Sequence, residues 1–86
     1  MNFSTRRFLT KLPIRLMIHH QKFADNLKTE MANSHISQEQ LAKMLNTTQA
    51  TVSRWTSGKN QPDFETLFAI CDILDVSPNN LLGWDD

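Results

Sequence analysis

Helix start and stop signals follow one another so closely from Ser37 to Gly83 that no long element fits between them. Ser37 opens one helix with a capping box, its hydroxyl accepting from the third amide while Gln40 reaches back. Asn46, which tolerates the left-handed conformation, ends that helix sharply. Thr47 or Thr48 caps the next, and Ser57-Gly58 stops it. Lys59 to Pro62 is a loop, after which Asp63 is placed to cap a fourth helix. Ser77-Pro78 starts a fifth, with proline where a missing amide costs nothing, and Gly83 closes it.

Between these signals the apolar residues keep helical spacing. Phe23, Leu27 and Met31 set the buried stripe of a first helix, from about Phe23, that fades in Asn33-Ser34-His35. Leu41, Ala42 and Leu45 face inward on the second helix, and Thr48, Val52 and Trp55 share one side of the third. Phe64, Leu67, Ile70, Cys71 and Leu74 form the stripe of the fourth. No run alternates with period two and the chain holds only two glycines, so no sheet is expected. The fold class is all-α, with five short helices around one core, since 86 residues leave no room for a second. The single cysteine, Cys71, fits a reducing cytoplasm and cannot close an intramolecular bridge.

A formal net charge of zero looks unfavourable for a phosphate-rich partner, but it conceals a split. Residues 1–22 carry Arg6, Arg7, Lys11, Arg15 and Lys22 and no acid, whereas residues 23–86 carry four bases against nine acids. Such asymmetry marks a basic arm beside an acidic domain, so the zero sum decides nothing. Pro13 and Arg15 interrupt the apolar residues of this arm, and no small-residue cleavage site follows, so it is not a secretory signal. No apolar run approaches the roughly 18 residues of a membrane span. The acid-free, Arg-containing composition is shared with organellar transit peptides, but a partly helical or disordered basic extension is favoured. Met17 is an alternative translation start.

Ser37 to Gly58 is a capped helix, a tight corner and a second capped helix whose inward faces must meet. The small Ala42 permits a close crossing, and Leu41, Leu45, Val52 and Trp55 fill the angle. By spacing this is a helix-turn-helix, a corner that many all-helical proteins own.

The residues carry more than spacing. Ser37-Gln38-Glu39-Gln40-Leu41-Ala42, Thr51-Val52-Ser53-Arg54-Trp55, Gly58-Lys59, Pro62-Asp63-Phe64-Glu65-Thr66-Leu67, Val76-Ser77 and Leu81-Leu82 together resemble the Cro/cI-type (lambda-repressor-like, XRE) helix-turn-helix family. The resemblance runs from about Phe23 to Leu82, with the pieces in the family's order. It implies a five-helix DNA-binding domain, usually dimeric, that lays its third helix in the major groove of an operator. Residues 1–21 are then a basic N-terminal extension, residues 22–83 the domain with its motif at about 37–57, and residues 84–86 a short acidic tail.

Carried over position by position, the resemblance puts Gln38 at a phosphate and Thr48, Gln49 and Ala50 at the groove-facing start of the third helix. Ser53 and Arg54 lie one turn on, while Lys59 and Asn60 match the backbone-contacting loop. The chemistry suits these roles, since Gln pairs bidentately with adenine, Arg with guanine, and the Thr and Ala methyls meet the thymine methyl. His35 stands where the family commonly has glycine and Glu30 where leucine is common, which implies looser packing at the exit of the first helix.

The expected function is sequence-specific transcriptional regulation, most simply repression, by a homodimer on double-stranded DNA. The rival is a protein-interaction module, such as an antitoxin whose arm over residues 1–21 binds a partner protein. No metal, cofactor or catalytic site is expected, because His19, His20 and His35 lack completing ligands and no nucleophile-and-base grouping stands out. Trp55 reads as core. Trp84, beside Leu81 and Leu82, belongs either to a tail that folds back to seal the core or to a dimer patch.

Overall fold

The computed structural model describes residues 14–83, with side-chain environments from Gln21 onward. Five helices follow in chain order: α1 (Ile14–Asn33), α2 (Gln38–Met44), α3 (Gln49–Ser57), α4 (Phe64–Leu74) and α5 (Pro78–Leu82). No strand occurs among the described residues, and none of their helices is long and apolar enough to cross a membrane. Residues 1–13 and Trp84, with the roles expected of them, lie outside the described residues.

The start signals act as their chemistry dictates. Ser37 Oγ accepts from the Gln40 amide at 3.1 Å and Gln40 Oε1 accepts from the Ser37 amide at 2.8 Å, the full capping box. Of the two candidate threonines, Thr48 is the cap, accepting from the Thr51 amide at 3.2 Å. Asp63 and Ser77 cap α4 and α5 in the same way. Helix α1 begins at Ile14 rather than near Phe23, so the expected boundary between residues 21 and 22 falls inside a continuous helix. Nothing from Ile14 to Lys22 interrupts it: there is no glycine or proline. Once the turns around Phe23 are anchored by packing, each residue added upstream gains a hydrogen bond without a new nucleus.

The stop signals share one geometry. A left-handed residue follows every helix: His35 (φ 58°), Asn46 (58°), Gly58 (84°), Asp75 (59°) and Gly83 (75°). After the first four, the next amide folds back on the carbonyl five residues earlier, Ile36 on Met31 and Thr47 on Ala42 at 2.9 Å, Lys59 on Arg54 and Val76 on Cys71 at 3.0 Å. The exit of α1 is therefore fully hydrogen-bonded despite His35 in the glycine position, and the consequence is backbone strain rather than loose packing.

Helix α1 is the central element, packing on both α3 and α5, while α2 packs on α3 and α4 on α5. Phe23, Leu27 and Met31 of α1 meet Leu41, Val52, Trp55, Ile70, Leu74 and Leu81 in one buried cluster, and Ala24 is buried as well. Gly58 ends α3 close against α1, where a Cβ would stand 3.4 Å from Gln21 Oε1 and 3.9 Å from the Ala24 Cβ. Asn26 ties α5 down, its Nδ2 donating to the carbonyls of Asn80 (3.3 Å) and Leu81 (3.1 Å). Cys71 is buried, and that burial, reinforced by the Asp72 charge, pushes its thiol up and holds it protonated.

One inward assignment is corrected. Phe64 is 78% exposed instead of inward. The core line of α4 runs through Leu67, Ile70 and Leu74, and three residues turn a helix through only about 300°, so Phe64 swings off that line at the free end of the helix. Leu81 is fully buried against α1 and Leu82 is half-buried.

Candidate nucleic-acid interface

Helix α3 presents two unlike sides. Val52, Trp55 and Thr56 point inward, whereas Gln49, Ala50, Ser53, Arg54 and Ser57 are exposed. At about 100° per residue, Ala50, Ser53, Arg54 and Ser57 cluster around one outward line and Gln49 lies on its flank. The structure thus brings together four of the expected groove-facing residues. Thr48 sits at their edge with its hydroxyl already engaged, by the Thr51 amide and by the Thr51 hydroxyl at 2.9 Å, so only its methyl remains to face outward.

The flank is braced by α2. Gln38 is half-buried; its Nε2 donates to Thr56 Oγ1 at 3.1 Å, and its Oε1 accepts from Gln49 Nε2 at 3.4 Å. Thr56 Oγ1 in turn donates to the Ser53 carbonyl at 3.0 Å. One relay therefore runs from the inner side of α3 through the first residue of α2 to the exposed amide of Gln49. It leaves Gln49 with its carbonyl oxygen and one N–H free, the acceptor and donor that an adenine edge requires. Gln38, expected at a phosphate, is placed here as a brace with one N–H to spare.

Thr56 was absent from the expected site residues. Its signal is present in the sequence, since positions 52, 55 and 56 have the i, i+3, i+4 spacing of an inward stripe, and a hydroxyl on such a stripe needs a partner.

Lys59 and Asn60 follow Gly58, and both of their backbone amides donate to the Arg54 carbonyl, at 3.0 and 3.3 Å. The loop is thereby fixed to the end of α3 while both side chains stay exposed. Among the described residues, Lys43, Arg54 and Lys59 make no ion pair. Asp63, at the far end of the loop, accepts from the Thr66 amide at 2.8 Å, and that bond, with a further contribution from the Thr66 side chain, draws its carboxyl below the ordinary range.

A helix of this exposure, braced by a second helix across a short corner, is the geometry of a family whose model, described as helix-turn-helix, matches residues 27–81. The chain belongs to the helix-turn-helix family, of the Cro/cI type. This helix-turn-helix chain is 31% identical over 65 residues to the HTH-type transcriptional activator BcrR of Enterococcus faecalis, an alignment covering 76% of the chain and 32% of BcrR. It is 35% identical over 60 residues to an uncharacterized HTH-type transcriptional regulator, YqaE, of Bacillus subtilis, covering 70% of the chain and 52% of YqaE. The chain thus spans about a third and about half of these two curated relatives. A transcriptional regulator from Listeria innocua superposes with a TM-score of 0.67 at 30% identity, over 74% of the helix-turn-helix chain and 64% of its own.

Proposed function

We propose that the chain is a sequence-specific DNA-binding transcription regulator that docks α3 in the major groove, working as a homodimer on a two-fold operator. The observation that carries this reading is the relay from Thr56 through Gln38 to Gln49, which holds an exposed amide in place on the same helix that presents Arg54, a base with no ion pair among the described residues. Gln49 and Arg54 read base edges, bidentately to adenine and guanine. The Thr48 and Ala50 methyls and the Ser53 hydroxyl line the same face, and Gln38, Lys59 and Asn60 position the phosphate backbone. Family membership supports the DNA partner, and the names of BcrR and YqaE support a role in transcription. Occupancy alone is enough to repress by excluding polymerase; because BcrR is named an activator, the direction is what a promoter assay reads.

Selection of bound duplexes from a random pool, followed by anisotropy titration of the winner, tests the assignment. Gln49→Ala and Arg54→Ala each weaken binding by about 1–3 kcal/mol and broaden base preference at one position. Unchanged affinity in both variants removes α3 from the groove.

A further inference from the structure

Among the described residues, Thr56 is the one polar residue buried with the core, at 6% exposed. Its place on the inward stripe of α3 calls only for an apolar side chain, as Val52 and Trp55 supply, and a hydroxyl buried there is costly unless it is bonded. We propose that Thr56 is a positioning residue for base reading: acting through Gln38, it fixes which end of the Gln49 amide faces α2, and so which base edge Gln49 accepts. The proposal rests on the DNA-binding reading and deepens it.

A threonine hydroxyl carries one proton and two lone pairs. In Thr56 that proton is spent on the Ser53 carbonyl, at 3.0 Å. Toward Gln38, Thr56 can then only accept, so Gln38 must turn its Nε2 inward, and does so at 3.1 Å. With the nitrogen inward, the carbonyl oxygen of the same amide serves the Gln49 side, where it too can only accept. Gln49 must therefore present an N–H, and its Nε2 donates to Gln38 Oε1 at 3.4 Å. Each bond runs in the sense set by the one before it, and the first lies in the core. Among the described residues, Gln38 and Gln49 make no other side-chain hydrogen bond that could fix the sense from the exposed end. Without Thr56 the terminal torsion of each amide has two broad orientations to choose from.

The sense decides between purines. Gln49 spends one N–H on Gln38 and keeps the other, with its carbonyl oxygen. Adenine offers an acceptor at N7 and a donor at N6, which that pair satisfies. Guanine offers two acceptors, N7 and O6, and sets one of them against the carbonyl oxygen. An amide released from Gln38 has both N–H groups to give, and guanine becomes acceptable. Thr56 itself touches no base.

Thr56→Val removes the hydroxyl and keeps the shape, whereas Thr56→Ser keeps the hydroxyl and loses a buried methyl. Packing alone ranks serine below valine in Tm and leaves base preference untouched in both. Positioning ranks them the other way in base preference. Anisotropy reads the ratio of affinities for the duplex selected by the wild-type chain and for the same duplex with guanine in place of adenine where Gln49→Ala broadens preference. Wild type should favour adenine by about 5–150-fold, the worth of one bidentate pair. Thr56→Val should cut that ratio about fivefold or more, and Thr56→Ser should hold it within about twofold. In a Gln38→Ala chain, Thr56→Val should change the ratio no further. Thr56→Ala carries the valine expectation if valine does not fold. In the free chain, the side-chain amide resonances of Gln38 and Gln49, assigned by their loss in the two alanine variants, should shift in Thr56→Val and hold in Thr56→Ser.

A valine or alanine variant with wild-type base preference overturns the proposal, as does a serine variant that loses the preference or a selected site with no adenine there. In each of these cases an enriched duplex leaves the DNA-binding reading intact. A wild-type chain that enriches no duplex, with resonances that shift in valine and hold in serine, overturns the DNA-binding reading and supports the relay.

Discussion

His35, Asn46 and Asp75 hold left-handed backbone without being glycine, and they do so at unequal cost. The conformation costs an ordinary L residue about 1–2 kcal/mol, and less for Asn and Asp, whose short polar groups bond locally. His35 is thus the most strained of the three. His35→Gly relieves the strain but gives back about 0.5–1 kcal/mol of chain entropy, leaving a net gain near 1 kcal/mol. In a domain of this size that raises Tm by about 4–8 °C, and an unchanged or lower melt removes the strain argument. The stop at Asn46 is legible in the sequence because the residue itself favours the conformation. That at His35 is not, because the demand comes from tertiary closure, in which Ile36 must turn back into the core. Asp63 is the opposite case, legible because a cap is a purely local bond. Its carboxyl is drawn below the ordinary range by the Thr66 amide, so its contribution is complete above about pH 4 and is lost as pH falls through the lowered value. Asp63→Asn keeps an acceptor but does not titrate. The Tm advantage of wild type over Asp63→Asn should therefore shrink from about pH 6 to about pH 2, and a constant difference would show that the charge plays no part.

Helix α3 owes its exposed chemistry to α2, and that dependence is measurable. Gln38 and Gln49 both point out of a helix, yet one hydrogen bond joins them and a second joins Gln38 to the buried hydroxyl of Thr56. If the brace positions Gln49, the variants Gln38→Ala and Gln49→Ala are not additive in binding. A double-mutant cycle by anisotropy should give a coupling of about 0.5–3 kcal/mol. A cycle that closes to zero would leave Gln38 as an independent phosphate contact. Helical spacing and caps located α2 to α5, since each follows from periods and bonds a few residues long, while the family resemblance marked Gln49, Ser53 and Arg54 as groove-facing. The relay spans 18 residues between Gln38 and Thr56, and only the crossing of two helices creates it. Phe64 shows the converse failure: its type and spacing fit the inward stripe of α4, but the core ends before the first turn begins.

The whole molecule returns to its charge. The acids concentrate in residues 23–86 and five of the nine bases in residues 1–22, yet the continuous helix from Ile14 divides those five bases into two groups. Arg15 and Lys22 belong to α1, and only Arg6, Arg7 and Lys11 precede it. A truncation meant to test the arm must therefore stop at residue 13, because removing residues 1–16 would also cut into α1. Among the described residues, the bases on and near α3 are Arg54, Lys59 and Lys43, with Glu39, Asp63 and Glu65 on the neighbouring elements, so the domain's own phosphate neutralisation is small and non-specific binding should be weak. If the arm adds contacts, each neutralised phosphate contributes about 0.9 to the slope of log affinity against log salt, and three bases contribute at most about 2.7 per bound protomer. Deleting residues 1–13 should lower the slope by up to that amount, while Lys59→Ala in the intact chain should lower it by about 1 per bound protomer. The two changes are expected to add, because they remove separate contacts. A slope that responds to Lys59→Ala and ignores the truncation would assign the arm to a protein partner, and the acidic helical domain would then hold DNA by base contacts and its few bases alone.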